Sequence, residues 1–211
     1  TSAVAELTIS MAISLIRKVV ELDSSTRTGR TREGFLGGEL HGKTFGIVGL
    51  GAIGEKVAQF ANAFGCNVIA YTRTPKEVEG VTLVDLEELF SAADIVSLHI
   101  PATAKTIGIV NSGLISKMKK NAVLINTARG TLVDYSALAK SIRSGLIAGA
   151  AVDVYENEPP IEKDHPLLNV PNTILLPHIG YATTEAIDRR TEIVLENIQC
   201  WLKNNPQNVV V

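Results

Sequence analysis

The chain has 211 residues, 45% of them hydrophobic, with 20 Lys and Arg against 22 Asp and Glu for a net charge of −2. That length supports one sizeable core and not two large domains. No basic excess is available to neutralise a run of phosphates, which excludes nucleic-acid binding by bulk electrostatics, and the longest apolar run, residues 7–16, is too short to span a bilayer.

Residues 1–22 place Val4, Leu7, Met11, Leu15 and Val19 on one broad stripe, which predicts a helix. The chain opens inside this helix without Met, so it is expected to be a piece of a longer polypeptide; no secretory leader is expected. Residues 23–43 are polar and rich in Gly and read as an irregular connector, long enough to expect packing against a partner chain. From Thr44 a regular alternation begins. Short, apolar, β-branched runs start near Thr44, Asn67, Asp94, Ala122, Ile147 and Thr173, and amphipathic stretches lie between most of them. Residues 52–64 end at Gly65, a helix-terminating glycine. Asp85, with Glu88 three positions on, has the form of a capping box, and Asp134 and Gly145 bracket residues 133–144 in the same way. The last predicted helix, residues 183–203, is the longest.

Strands buried on both faces with helical crossovers predict an α/β fold. The expected architecture is a doubly wound parallel sheet of the Rossmann type over residues 44–182, in the order 3-2-1-4-5-6, followed by a C-terminal helix and tail over residues 183–211. Cys66 and Cys200 share no metal-ligand spacing and are expected as reduced, buried thiols of a cytoplasmic protein; no metal site is expected.

The first predicted strand runs into Gly49-Leu50-Gly51-Ala52-Ile53-Gly54 and then directly into a predicted helix. That context is what a dinucleotide site requires. Gly49 permits the tight turn, Gly51 lets a pyrophosphate approach the backbone, and Gly54 lets helix and strand pack closely. The helix start at Ala52 and Ile53 offers free N–H groups to the phosphates. An acid at the end of the second strand would accept hydrogen bonds from the adenosine ribose. None is present: the strand ends Tyr71-Thr72-Arg73-Thr74. Arg73 between two hydroxyls suits a 2′-phosphate, so NAD(P) is expected as cofactor with NADP(H) favoured over NAD(H).

Three further motifs follow in order: Asn126-Thr127-Ala128-Arg129-Gly130, residues 149–159 (GAAVDVYENEP), and Leu176-Pro177-His178-Ile179-Gly180. Together with the glycine turn they resemble the D-isomer-specific 2-hydroxyacid dehydrogenase family over essentially the whole chain. The resemblance implies hydride transfer between a nicotinamide and a small 2-hydroxy or 2-keto acid. It implies that Arg129 holds the substrate carboxylate and that His178, paired with Glu158, is the acid and base. It places Asp153, Pro101 and Thr106 on the nicotinamide side of the cofactor, and Ile100, Thr127, Ala128, His178 and Gly180 among the residues that bind it. A carboxylate beside an imidazole favours its protonated form, which is the form that gives a proton to a carbonyl oxygen. Each motif also sits at the C-terminal end of a predicted strand, where open α/β sheets place their ligands.

The resemblance further implies that a split substrate domain, built largely from residues upstream of the first helix, is absent from this chain, and that cofactor domains pair into a homodimer. Formate dehydrogenases share the scaffold, but pair their His with an amide residue; Glu158 argues against that chemistry. The alternative from another class is a nucleotide-sensing corepressor-like protein on the same scaffold. His41, His99 and His165 read as structural, and Trp201 with Ile193, Ile198 and Leu202 as core or interface.

Overall fold

The computed structural model describes residues 1–31, 33–158 and 160–209. Pro159, the last residue of the third motif, lies outside them. Seven strands form one all-parallel sheet: β1 (Thr44–Val48), β2 (Asn67–Tyr71), β3 (Val81–Leu83), β4 (Ile95–Leu98), β5 (Val123–Asn126), β6 (Gly149–Val152) and β7 (Thr173–Leu175). Their spatial order is β3-β2-β1-β4-β5-β6-β7, and all six pairings are parallel.

The helices are α1 (Ser2–Ile16), α2 (Val19–Arg27), α3 (Ala52–Ala63), α4 (Leu86–Ala92), α5 (Ser112–Ile115), α6 (Tyr135–Arg143) and α7 (Thr184–Leu202). Alternate residues of each central strand face opposite layers. Val48, Leu98, Leu124 and Val152 join one buried cluster, with Leu89 and Phe90 of α4 and Leu138 of α6. Phe45, Ile47, Ile125 and Ala151 join the other, with Met11 and Leu15 of α1 and Val57 of α3. Two buried faces explain the unbroken apolar strands.

The capping expectations hold. Asp85 accepts a hydrogen bond from the Glu88 N–H and Asp134 one from the Ala137 N–H. Gly65 and Gly145 take the positive φ angles that end α3 and α6. Thr183 caps α7 through the Ala186 N–H.

Four expectations need correction. The order 3-2-1-4-5-6 assigned third place to the run near Asp94, but the third strand is the short Val81–Leu83, so Ile95–Leu98 lies beside β1 rather than at the far edge. Three residues, two of them exposed, carry too little pattern to be read as a strand. The first helix stops at Ile16, because Lys18 takes a left-handed conformation (φ 48°) and the Gly38 N–H takes the free Ile16 carbonyl. The chain then starts α2, so the connector is helical as far as Arg27. Finally, Cys200 is only half-buried rather than buried; α7 buries none of its residues, so of the two readings of Ile193, Ile198, Trp201 and Leu202, core or interface, these exposed positions exclude the core. Among the described residues no helix is long and apolar enough to cross a membrane.

Candidate active site

Strand register sets the site. Val48, Leu98, Asn126, Val152 and Leu175 are successive Cα partners across β1, β4, β5, β6 and β7. The residues that follow them therefore leave the sheet along one rim, at the C-terminal ends of the strands. Every motif of the sequence emerges there.

At the β1 exit, Gly49 has φ +102°, a conformation L side chains rarely adopt, and a Cβ there would lie 2.6 Å from the His99 carbonyl oxygen. A Cβ on Gly54 would collide with the Gly49 carbonyl oxygen, so strand and helix meet with no room for a side chain. Gly51 is the N-cap of α3, makes no side-chain capping bond, and has open space where its Cβ would be. The uncapped N–H groups of Gly51, Ala52 and Ile53 thus face a cradle that fits a pyrophosphate, with the helix dipole favouring its charge.

Beyond β2, Thr72 is half-buried while Arg73 and Thr74 are exposed. No acid ends the strand; the nearest ion pair joins Lys76 to Glu55 of α3. Beyond β4, Ile100 lies over the Gly49 turn and Pro101 starts a loop closed by Thr106, whose Oγ1 donates to the Pro101 carbonyl at 2.7 Å. His99 is held against Ser97 Oγ, and burial pushes its imidazole down to about 4, consistent with a structural role.

The β5 exit carries Thr127, Ala128 and Arg129. Thr127 Oγ1 lies 3.2 Å from Thr8 Oγ1 of α1. Arg129 is exposed and folds back so that Nη1 donates to the Ala128 carbonyl at 2.6 Å. The turn itself is held by Asn126, whose fully buried amide accepts from the Ala128 N–H and donates to the Arg129 carbonyl.

The β6 exit carries Asp153 and Glu158, and the β7 exit carries His178. His178 has φ +58°, an uncommon conformation for a residue with a side chain. Asp153, expected on the nicotinamide side, is buried and accepts from the Ile179 N–H (2.8 Å) and the Gly180 N–H (2.7 Å), which fixes the backbone just after His178. Gly180 is packed against this carboxylate and against Val4 and Leu7 of α1. His178 Nδ1 lies 3.1 Å from Glu158 Oε2, a buried oxygen with no hydrogen-bond partner among the described residues. The Tyr181 ring meets the imidazole edge-on at 5.7 Å. An apolar cavity of about 440 Å³ opens beside the pair, lined in part by Tyr155, Ile161, Leu168 and Leu176.

Arg129, Glu158 and His178 therefore stand on adjacent exits of one rim, β4 separating them from the glycine turn on the same rim. His41, His99 and His165 stand apart from the His178–Glu158 pair. Sequence reasoning missed Asn126, Tyr135 and Tyr155, whose polar atoms span different strand exits; no local spacing signals such contacts.

A parallel sheet with an uncapped glycine turn and an imidazole–carboxylate pair on its C-terminal rim defines the class: a dinucleotide-binding dehydrogenase domain. The family model for the D-isomer specific 2-hydroxyacid dehydrogenase NAD binding domain matches residues 9–180, and the chain belongs to this family of NAD(P)-dependent oxidoreductases. The chain is 40% identical to a glyoxylate reductase of Thermococcus litoralis, covering 100% of this chain and 67% of that protein. It is 44% identical to a D-3-phosphoglycerate dehydrogenase of Methanocaldococcus jannaschii, covering 99% of this chain but 41% of that protein. Among solved structures, an acyclic imino acid reductase in complex with NADPH and D-Arg superposes with a TM-score of 0.93 at 37% identity, over 100% of this chain and 68% of the other. The D-lactate dehydrogenase with NAD+ from Lactobacillus jensenii gives 0.90 at 30% identity, over 99% and 68%. The chain thus spans about two thirds of the length of the first of these curated relatives and less than half of the second.

Proposed function

We propose that the protein is a D-2-hydroxyacid dehydrogenase acting as a 2-ketoacid reductase, that it prefers NADP(H), and that it works in the cytoplasm as a homodimer paired through this domain. The observation that carries the reading is the 3.1 Å contact between His178 Nδ1 and Glu158 Oε2, on the rim that also holds the glycine turn and Arg129. The bound nicotinamide supplies or takes up the hydride. The residues of this chain do the rest.

Arg129 exchanges its intra-turn contact for the substrate carboxylate, which its planar guanidinium matches with two parallel hydrogen bonds. With Nδ1 turned to Glu158, His178 presents Nε2 to the substrate. It gives its proton to the carbonyl oxygen as the hydride arrives at carbon, and takes one back from the hydroxyl in the reverse direction. Glu158, 3.1 Å from Nδ1, keeps the imidazole oriented. Ile100, Pro101, Thr106, Thr127, Ala128 and Gly180 border the nicotinamide side. The carboxylate of Asp153 has lone pairs left for the same side after accepting from two N–H groups. Thr72, Arg73 and Thr74 border the adenosine side, where Arg73 pairs with a 2′-phosphate. The exposed apolar side chains Val19, Val20 and Leu36 on and near α2 suit a partner chain. Both cysteines are free, as a reducing compartment keeps them.

A panel of 2-ketoacids assayed with NADPH and NADH tests the reading. Oxidation of NADPH that depends on a 2-ketoacid supports it; a panel with no turnover with either nucleotide counts against it.

A further inference from the structure

Past the rim the strand ladder no longer holds the three exits together. Its last backbone bonds join Asp153 N–H to the Asn126 carbonyl and Leu176 N–H to the Val152 carbonyl. Arg129, Glu158 and His178 all lie beyond them, so their spacing depends on other contacts.

Between the β6 and β7 exits the Asp153 carboxylate supplies one pair, from the Ile179 and Gly180 N–H groups, and two buried tyrosines supply the others. Tyr135, the first residue of α6, accepts from Asn126 Nδ2 at 3.0 Å and donates to the Val154 carbonyl at 2.7 Å. The same Asn126 amide group donates to the Arg129 carbonyl at 2.9 Å. Through Tyr135 the turn that carries Arg129 is thus tied to the segment that leads to Glu158. Tyr155 donates to the Leu176 carbonyl at 3.0 Å, which ties that segment to the one carrying His178. The ring of His165 stands edge-on to both phenols, at 5.2 Å from Tyr135 and 5.3 Å from Tyr155, with Nε2 toward Glu156 and Nδ1 accepting the Leu167 N–H. All three rings are buried. Burial pushes Tyr135 well above the usual phenol range and, with the charges of Asp153 and Glu158, pushes Tyr155 up to about 12. Both hydroxyls therefore keep their protons and remain donors.

We infer that Tyr135 and Tyr155 are positioning residues: their hydroxyls bridge the exits of β5, β6 and β7 and set the spacing of Arg129, Glu158 and His178. This rests on the function proposed above and adds the groups that hold its geometry. Rings that served packing alone would need no hydroxyl. Each hydroxyl is instead used across two segments, and removing it leaves a buried carbonyl without its partner.

Tyr135→Phe and Tyr155→Phe keep ring volume and remove only the bridge. In the protein, Tyr135→Phe should raise KM for the 2-ketoacid roughly tenfold with a smaller effect on kcat, because the carboxylate holder moves. Tyr155→Phe should lower kcat roughly tenfold with a smaller effect on KM, because the proton donor moves; a displacement near 1 Å already costs about 10²-fold. Both variants should bind NADPH as the wild type does, which reports that the domain is folded. The second readout needs no turnover: in this chain, with ring-labelled His assigned by loss of one signal in His178→Gln, Tyr155→Phe should shift the His178 imidazole resonance at pH 7. Lowered melting temperatures with unchanged KM, kcat and His178 resonance would overturn the proposal and leave the tyrosines as packing. A wild type that reduces no 2-ketoacid would overturn the function instead, and the resonance would still decide whether Tyr155 positions His178.

Discussion

In the proposed function, nucleotide choice turns on Arg73. It stands exposed after β2, flanked by Thr72 and Thr74, where an acid would repel a 2′-phosphate. Arg73→Ala should weaken NADPH binding by about 1.5–3 kcal/mol, the scale of a charge-assisted contact, and leave NADH nearly unchanged. Fluorescence titration with both nucleotides checks this; equal weakening of the two would remove Arg73 from the 2′-phosphate site. His99 makes a different prediction. Burial holds it down to about 4 from its ordinary 6.5, so above pH 6.5 it is neutral whether the chain is folded or not. Between 6.5 and 4 the unfolded chain takes up a proton that the folded chain refuses. Stability contributed by the neutral His99 is therefore lost as pH falls through that window, by on the order of 2 kcal/mol. Urea midpoints of wild type and His99→Gln, measured from pH 7 to 4, should show the wild type falling more steeply. Parallel curves would mean that His99 takes up its proton as readily in the fold as in the unfolded chain.

At the scale of elements, the junction of β1 and α3 concentrates the fold's demand on the nucleotide site. Gly54 faces the Gly49 carbonyl so closely that Gly54→Ala must push α3 away from the sheet. That should destabilise the domain by about 1–3 kcal/mol and weaken either nucleotide at least tenfold, as the N–H groups of α3 leave their places. Gly51→Ala meets no protein atom within 4 Å, so it should leave the melting temperature nearly unchanged while weakening the nucleotide. Thermal melts with and without nucleotide separate the two. These elements were readable because glycines, caps and apolar runs act locally: Gly49, Gly54, Asp85 and Asp134 each do what their neighbours in sequence require. The short strand Val81–Leu83 was not, since three residues of which two are exposed carry no periodicity. Nor was the break at Lys18, where the left-handed turn lets the chain start a second helix while a loop some twenty residues later covers the end of the first. The pairing of His178 with Glu158 was legible from motif and chemistry. The ties through Asn126, Tyr135 and Tyr155 were not, because they join residues between nine and 21 positions apart across separate strand exits.

At the scale of the whole molecule, the chain holds a local glycine turn with uncapped N–H groups at the start of α3, but an open rim. Val4 and Leu7 of α1 pack under Gly180, and Thr8 lies against Thr127, so the first helix supports the site from below. Its other wall is not formed by the described residues: Arg129 is exposed and His178 is half-exposed. The 211 residues by themselves should therefore bind NADPH yet reduce 2-ketoacids far more slowly than the roughly 10 per second of an ordinary enzyme, because the reacting carbon is neither oriented nor shielded from water. Calorimetry and a steady-state assay on the same sample would check both halves of that statement.

The central claim is that His178, held by Glu158, moves the proton. Its most direct test is the rate of 2-ketoacid reduction by the protein and by His178→Gln and Glu158→Gln, at saturating NADPH near neutral pH. A loss of roughly 10²–10⁴-fold is expected for His178→Gln. A smaller loss is expected for Glu158→Gln, which keeps the shape of the side chain and removes the carboxylate that orients the imidazole. NADPH affinity should stay within about twofold in both, since neither residue lies at the phosphate turn. A His178→Gln variant that reduces the ketoacid at the wild-type rate would mean that another group donates the proton.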